Sequence, residues 1–207
     1  MPRRSKDEAE KTRHAILDAA ERVFYQHGVA RSTLEQIAKV AKVTRGAVYW
    51  HFTDKIELFD AMMKRVFLPQ EEILELLASG ESPNPLTDLK KACREALTSI
   101  GKDARRKRVI SIMMLRCEYV AEMEPILKRR RDCKDRMLAR SIKLFQRAGK
   151  LGHLSPAWSP ELAALSLQAM MTGLITGTLE GRKAFDFAKS APACLEAFFQ
   201  SLEVNKK

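Results

Sequence analysis

The chain has 207 residues, 45% of them hydrophobic and 30% charged, and a formal net charge of +11. That length supports one sizeable core, or a small domain joined to a larger one, without disulfide or metal staples. Cys93, Cys117, Cys133 and Cys194 lie far apart, with no CxxC pair and no histidine at ligand spacing. They signal neither a zinc site nor a disulfide framework and read as reduced cytosolic thiols; no metal and no cofactor is expected.

The opening MPRRSKDEAEKTRH is charged throughout and lacks the apolar run of a secretory signal, so a cytoplasmic location is expected. The excess positive charge is unevenly placed: residues 1–54 carry a net +3, 55–101 a net −2, 102–150 a net +10 and 151–207 none. Charge alone would put a polyanion site in the middle segment, whereas the motif described below puts one at the N-terminus. The motif is the stronger signal, because net charge says only that some polyanion is attracted.

Every long segment reads at helical period and no run alternates like a half-buried strand, so an all-α fold of about nine helices is expected. The first helix spans about Asp7 to His27, with an apolar stripe of Ile16, Ala19, Ala20, Val23 and Phe24, and Gly28 suits its left-handed C-terminal position. Ahead of it, Arg3, Arg4 and Lys6 form either an arm reaching along a duplex or a solvated tail. A second helix follows Thr33, whose spacing to Gln36, like that of Ser32 to Glu35, fits a capping box.

A long helix from Lys55 carries Leu58, Phe59, Met62, Met63, Val66 and Phe67, with Asp54 and Glu57 as its start signal and a kink expected at Pro69. Ser79 to Pro85 is a linker, with Pro85 at the first position of the next helix. Further helices are expected at Leu86–Asp103, Arg105–Ala121, Pro125–Ala148, Pro160–Glu180 and Pro192–Val204, where Pro125, Pro160 and Pro192 mark helix starts. Leu162 to Leu179 carries no charge over 18 residues. Ser166, Gln168, Thr172, Thr176 and Thr178 interrupt it, which suits burial in protein better than lipid, so no membrane partner is expected.

Thr33 to Phe52, TLEQIAKVAKVTRGAVYWHF, reads as two short helices joined at Lys42-Val43. Leu34, Ile37, Ala38, Ala41, Val43, Val48 and Phe52 supply their apolar faces. Thr44 would cap the second helix, which exposes Arg45, Gly46, Tyr49, Trp50 and His51 and enters a major groove in such a motif. Glycine inside a helix costs about 1 kcal/mol against alanine, which makes sense at Gly46 if a side chain would block close approach to DNA.

VTRGAVYWHF followed by DKIELF closely resembles the signature of the TetR family of transcriptional regulators, and within it the AcrR and TtgR type of multidrug efflux pump repressors. The resemblance is strong over residues 10–65 and weaker beyond, in helix spacing and in phrases such as Leu115-Arg116-Cys117-Glu118. Lys42 departs from it, since the family commonly has glycine in the turn. The resemblance implies a three-helix DNA-binding domain at 1–54 and a larger effector-binding and dimerisation domain at 55–207.

By that likeness Thr44, Arg45 and Gly46 face bases, Tyr49 and His51 hold phosphates, and Lys55 adds a phosphate contact. Arg45 suits a bidentate contact to guanine, and Thr33 at a helix N-terminus a further phosphate. Trp50 is equally readable as a DNA contact or as a packing residue.

The remainder shows no phosphate-binding glycine loop, nucleophile elbow or paired histidines, so an enzyme is not expected. Met113, Met114, Met137, Met170 and Met171 fall on different expected helices and suit either a permissive apolar pocket or ordinary core. By the family analogy the pocket walls are Val66, Gln70, Leu89, Cys93, Ile110, Met114, Met137, Gln168 and Met171, holding a small hydrophobic effector. Ala169, Gly173, Gly177 and Gly181 recur every four residues as a ridge of small side chains, and the last helix offers Leu195, Phe198, Phe199 and Leu202.

Two copies of that helix pair would form a homodimer as in the family, while packing within one chain is the plainer alternative. A twofold dimer also presents two recognition helices to a pseudo-palindromic operator in double-stranded DNA. The basic runs Arg105–Arg108 and Lys128–Arg131 read by default as a solvated face, the alternatives being an electrostatic funnel toward DNA or a rim attracting anionic effectors. The functional expectation is a repressor released from DNA by its effector. Its rivals are a TetR-type metabolite sensor or activator, and a helical small-molecule binding protein or enzyme that does not bind DNA.

Overall fold

The computed structural model describes residues 2–80, 82–117, 123–181 and 186–204; of 2–5, 67–71, 187 and 188 it describes the backbone alone. Nine α-helices are present among these: α1 (Pro2–His27), α2 (Leu34–Ala41), α3 (Arg45–His51), α4 (Lys55–Ser79), α5 (Pro85–Lys102), α6 (Ala104–Leu115), α7 (Glu124–Lys150), α8 (Pro160–Leu179) and α9 (Phe187–Leu202). No strand is found among the described residues beyond one isolated bridge, Leu154 to Glu203. The all-α fold read from periodicity is the fold observed.

The chain forms two compact units, residues 1–67 with 108–130, and residues 68–107 with 131–207. This packing division runs through α4, α6 and α7, whereas the sequence division at residues 54 and 55 is one of expected roles.

In the first unit α1 begins at Pro2, so Arg3, Arg4 and Lys6 lie on its first turns rather than in a separate arm or tail. Its apolar stripe is enclosed as expected, with Ile16, Leu17, Ala19, Ala20 and Phe24 fully buried and Phe24 tilted against Phe59 at 5.9 Å. Gly28 (φ +79) ends the helix, and the next amide, Val29, donates to the Arg116 carbonyl. Glu21 is buried on α1 and accepts from Arg108 Nε on α6 at 2.7 Å, a partnership the stripe pattern gave no sign of. Ser32 does not cap α2; its buried hydroxyl donates back to the Gly28 carbonyl, leaving the cap to Thr33.

The second unit packs α5, α7, α8 and α9 around Leu89, Leu97, Leu144, Phe145, Leu167 and Phe199. Asn84 caps α5 with Pro85 at its first position, and Ser159 caps α8 with Pro160 likewise, as the spacing predicts. Pro192 is a correction: it lies inside α9, which starts at Phe187 under the cap of Asp186. A proline lacking its N–H forfeits one helical bond, and the buried stripe of Ala191, Leu195, Phe199 and Leu202 holds the helix regardless.

α4 is a single helix of 25 residues passing through Pro69, whose side-chain surroundings, and hence any kink they impose, lie outside the described residues.

The basic middle segment is only partly a solvated face. In the first unit Arg108 and Arg129 pair with Glu21 and Asp60, and Arg130 donates to the Met113 carbonyl. In the second, Arg140 pairs with Glu75 and Arg147 donates to the Gly80 carbonyl. Of the two basic runs read as a solvated face, Arg108, Arg129 and Arg130 thus have partners within their own unit while staying partly exposed, and the default reading is corrected in that part.

Candidate nucleic-acid interface

Residues 33–52 build the surface from the backbone upward. Thr33 Oγ1 accepts from the Gln36 amide at 3.2 Å and Gln36 Oε1 accepts from the Thr33 amide at 2.9 Å, closing the capping box of α2. α2 ends at Lys42, whose φ of 57° is the one positive value among the described non-glycine residues. The Val43 amide donates to Ala38 and the Lys42 amide to Lys39, the paired bonds of a Schellman turn. Lysine therefore adopts the left-handed geometry that glycine would take without steric cost.

Thr44 then caps α3, its Oγ1 accepting from the Ala47 amide at 3.1 Å. Val48 and Phe52, one turn apart, are buried, which turns Arg45, Gly46, Tyr49 and Trp50 outward. Trp50 is 73% exposed, so it is not a packing residue of its own chain. Arg45 Nη2 donates to the Tyr49 hydroxyl at 3.3 Å, and its guanidinium lies over that ring at 5.4 Å. This hydrogen bond, with a smaller contribution from Glu35, raises the Arg45 pKa above its ordinary value.

A Cβ placed on Gly46 would meet only Thr44 Oγ1, at an ordinary 3.9 Å. Among the described residues, nothing within reach of that Cβ requires glycine there.

His51 is half-buried, with the Trp50 ring edge-on at 4.5 Å. Burial, followed by the nearby Arg13 charge, pushes its pKa below the usual histidine value. Arg13 on α1 also caps the Phe52 ring at 5.2 Å, a role sequence periodicity did not mark. Lys55 Nζ donates to the Ala30 carbonyl at 2.9 Å, so this ammonium ties α4 to the loop before α2. Asp54 accepts from the Glu57 amide, and Glu57 accepts from both the amide and the hydroxyl of Thr53. Those two bonds hold the Glu57 carboxyl below its ordinary pKa, the Thr53 amide contributing most.

The residues expected to line a pocket are divided between the units. In the first, Val66 and Ile110 are buried and Met114 half-buried. In the second, Leu89 and Cys93 are core, Met171 packs against that core, Met137 is half-buried and Gln168 donates to the Lys134 carbonyl at 3.0 Å. Burial pushes the Cys93 thiol up to about 12. The side chain of Gln70 lies outside the described residues.

The expected dimer residues separate more sharply. Ala169 and Gly173 are exposed on α8, beside Leu162 and Leu165 at 50% and 55% exposure, and Gly177 is half-buried. Gly181 lies beyond the end of α8 in a left-handed turn (φ +66), so it is not part of the ridge. Leu195, Phe199 and Leu202 are corrected: all three are enclosed in the core of their own chain, and a side chain already covered has no surface to offer a second copy. Phe198 is half-buried against Trp158 at 5.7 Å.

Two family profiles cover most of the chain. Residues 16–62 match the bacterial regulatory proteins of the tetR family, and residues 84–204 match the C-terminal region of MAATS-type transcriptional repressors. The HTH-type transcriptional repressor BepR of Brucella suis is 42% identical over 200 residues, covering 97% of this chain and 96% of its own. NalD, the secondary repressor of the MexAB-OprM multidrug efflux pump in Pseudomonas aeruginosa, superimposes with a TM-score of 0.85 at 36% identity, over 97% of this chain and all of the other. The complex of SmeT, a repressor from Stenotrophomonas maltophilia, with triclosan superimposes with a TM-score of 0.86 at 32% identity, over 95% and 93% of the two chains. With its capped recognition helix, its left-handed turn and these likenesses over nearly its whole length, the chain belongs to the TetR family of transcriptional repressors.

Proposed function

We propose that this protein is a cytoplasmic, homodimeric repressor of a multidrug efflux operon, released from a pseudo-palindromic operator by a small hydrophobic effector, and that it is not an enzyme. The observation that carries the reading is the outward face of α3. Arg45, Gly46, Tyr49 and Trp50 stand exposed over buried Val48 and Phe52, on a helix whose diameter of about 10–12 Å suits a major groove about 12 Å wide. The similarity to NalD and SmeT supports efflux as the regulated process and a triclosan-like effector class.

In this reading Arg45 contacts a base, Thr44 and Gly46 lie against the groove, and Tyr49, Trp50, His51 and Thr33 face the backbone. Thr33 and Thr44 accept through their oxygens in the caps, so each has its hydroxyl proton left to donate to a phosphate. Lys55 acts there through the charge of an ammonium already bonded to Ala30. The exposed apolar strip Leu162, Leu165, Ala169 and Gly173 on α8 is the surface we assign to the partner copy. Effector binding among residues 55–207 acts on DNA through α4, one continuous helix leading from Lys55. Such coupling requires tighter effector binding to the DNA-incompetent state, typically by 1–3 kcal/mol.

The test is a mobility shift of the DNA upstream of the chain's own gene, with and without triclosan and a panel of unrelated hydrophobic compounds. A shift reversed by several of them is expected. Release by one polar compound alone would replace the efflux reading with a metabolite sensor, and no shift would remove DNA binding.

A further inference from the structure

We propose that Tyr49 is a positioning residue for base reading: its hydroxyl and ring hold the Arg45 guanidinium so that the fork meets a base edge from a preset direction. This rests on the DNA-binding reading above and assigns a further role within it. The two residues are one helical turn apart, and a long side chain on a helix leans toward the N-terminus, which lays Tyr49 back over Arg45. The contact is double, a hydrogen bond at 3.3 Å and a cation over the ring face at 5.4 Å. Among the described residues no carboxylate forms an ion pair with Arg45, although the charge of Glu35 is felt there. Tyr49 is therefore the group that restrains it.

A bidentate contact to guanine needs the planar guanidinium in one orientation, and an exposed arginine otherwise loses rotamer freedom on binding. Restraint in the free protein removes part of that loss. The hydroxyl also has capacity for both jobs. It accepts from Arg45 through a lone pair, which leaves its own proton for a phosphate oxygen. A single oxygen then links backbone register to base reading, so the base preference depends on a residue that touches no base.

The test is selection of duplexes from a randomised DNA library by the full-length protein, with Arg45→Ala, Tyr49→Phe and the double variant in parallel. Arg45→Ala should erase preference at one symmetric pair of positions. Tyr49→Phe keeps the ring and removes the hydroxyl; besides a uniform loss of affinity from the lost phosphate bond, it should lower preference at that same pair by about three- to tenfold, leave preference at the other positions unchanged, and add no loss of preference to Arg45→Ala. If Tyr49→Phe weakened binding to all duplexes alike, or changed nothing, or if Arg45→Ala left every position intact, the positioning role would be overturned. Glu35→Gln relaxing the same pair as strongly as Tyr49→Phe would also overturn it, by assigning the orientation to charge. Selection of no duplex by the wild-type chain would instead overturn the reading of function on which the proposal stands.

Discussion

Arg108 Nε donates to the carboxylate of Glu21 at 2.7 Å, with the Glu21 side chain 5% exposed and that of Arg108 39% exposed. The pair fastens α6 to the helix that carries the DNA-binding core. Removing Arg108 withdraws the cation from a buried carboxylate, whereas replacing both partners by apolar groups does not. Arg108→Ala should destabilise the protein by about 1–3 kcal/mol, and Glu21→Leu with Arg108→Leu by less than Arg108→Ala alone. Urea unfolding of the three proteins measures this, and a double variant less stable than Arg108→Ala would contradict it.

Lys42 bears a backbone conformation that costs an L-residue roughly 1 kcal/mol, and its side chain is exposed. Lys42→Gly should stabilise the chain by up to about 1 kcal/mol, less the extra chain entropy of glycine in the unfolded state. Thermal unfolding reads the sign; a destabilised variant would mean that the lysine side chain contributes more than the turn costs.

Gly46 separates folding from binding. The chain has room for a Cβ there, so Gly46→Ala should raise helix stability by about 1 kcal/mol. If the groove floor approaches this position, the same change should weaken DNA binding. A variant that is both more stable and unimpaired in DNA binding would remove Gly46 from the interface.

His51 enters DNA binding with a pKa below 6.5, lowered first by burial and then by Arg13. A phosphate partner favours the protonated form, so the complex holds more protons than the free protein between the two values. Affinity should therefore rise as pH falls, over the interval between the lowered pKa of His51 in the free protein and its higher pKa in the complex. His51→Gln should abolish that rise, as read by anisotropy of a labelled operator duplex; an unchanged pH profile would place His51 away from phosphate.

Gly173 is exposed, and a Cβ placed on it meets nothing within 4 Å in its own chain. Gly173→Leu should leave the single chain folded and its helix favoured, yet block the close approach of a second copy along α8. Sedimentation should shift toward monomer and operator affinity should fall. A variant that remains dimeric would move the interface off the Ala169–Gly173 face.

The determinants legible in the sequence were local ones. The helical period, the Thr33–Gln36 box, the Thr44 cap and the prolines at 85 and 160 each follow from the chemistry of residues within one or two turns of each other, whereas the left-handed turn at Lys42, where glycine would be expected, is seen only in the structure. They carried the all-α fold and the outward face of α3. What depends on distant partners was decided only by the tertiary structure. Periodicity marks an apolar face without saying what covers it, so the sequence reading assigns Leu195, Phe199 and Leu202 to an interface, whereas the packing of α5, α8 and α9 makes them core. Charge counting likewise gives the excess of residues 102–150 but not its partners. Arg108 finds Glu21 across 87 residues of chain, and no local rule pairs groups so far apart.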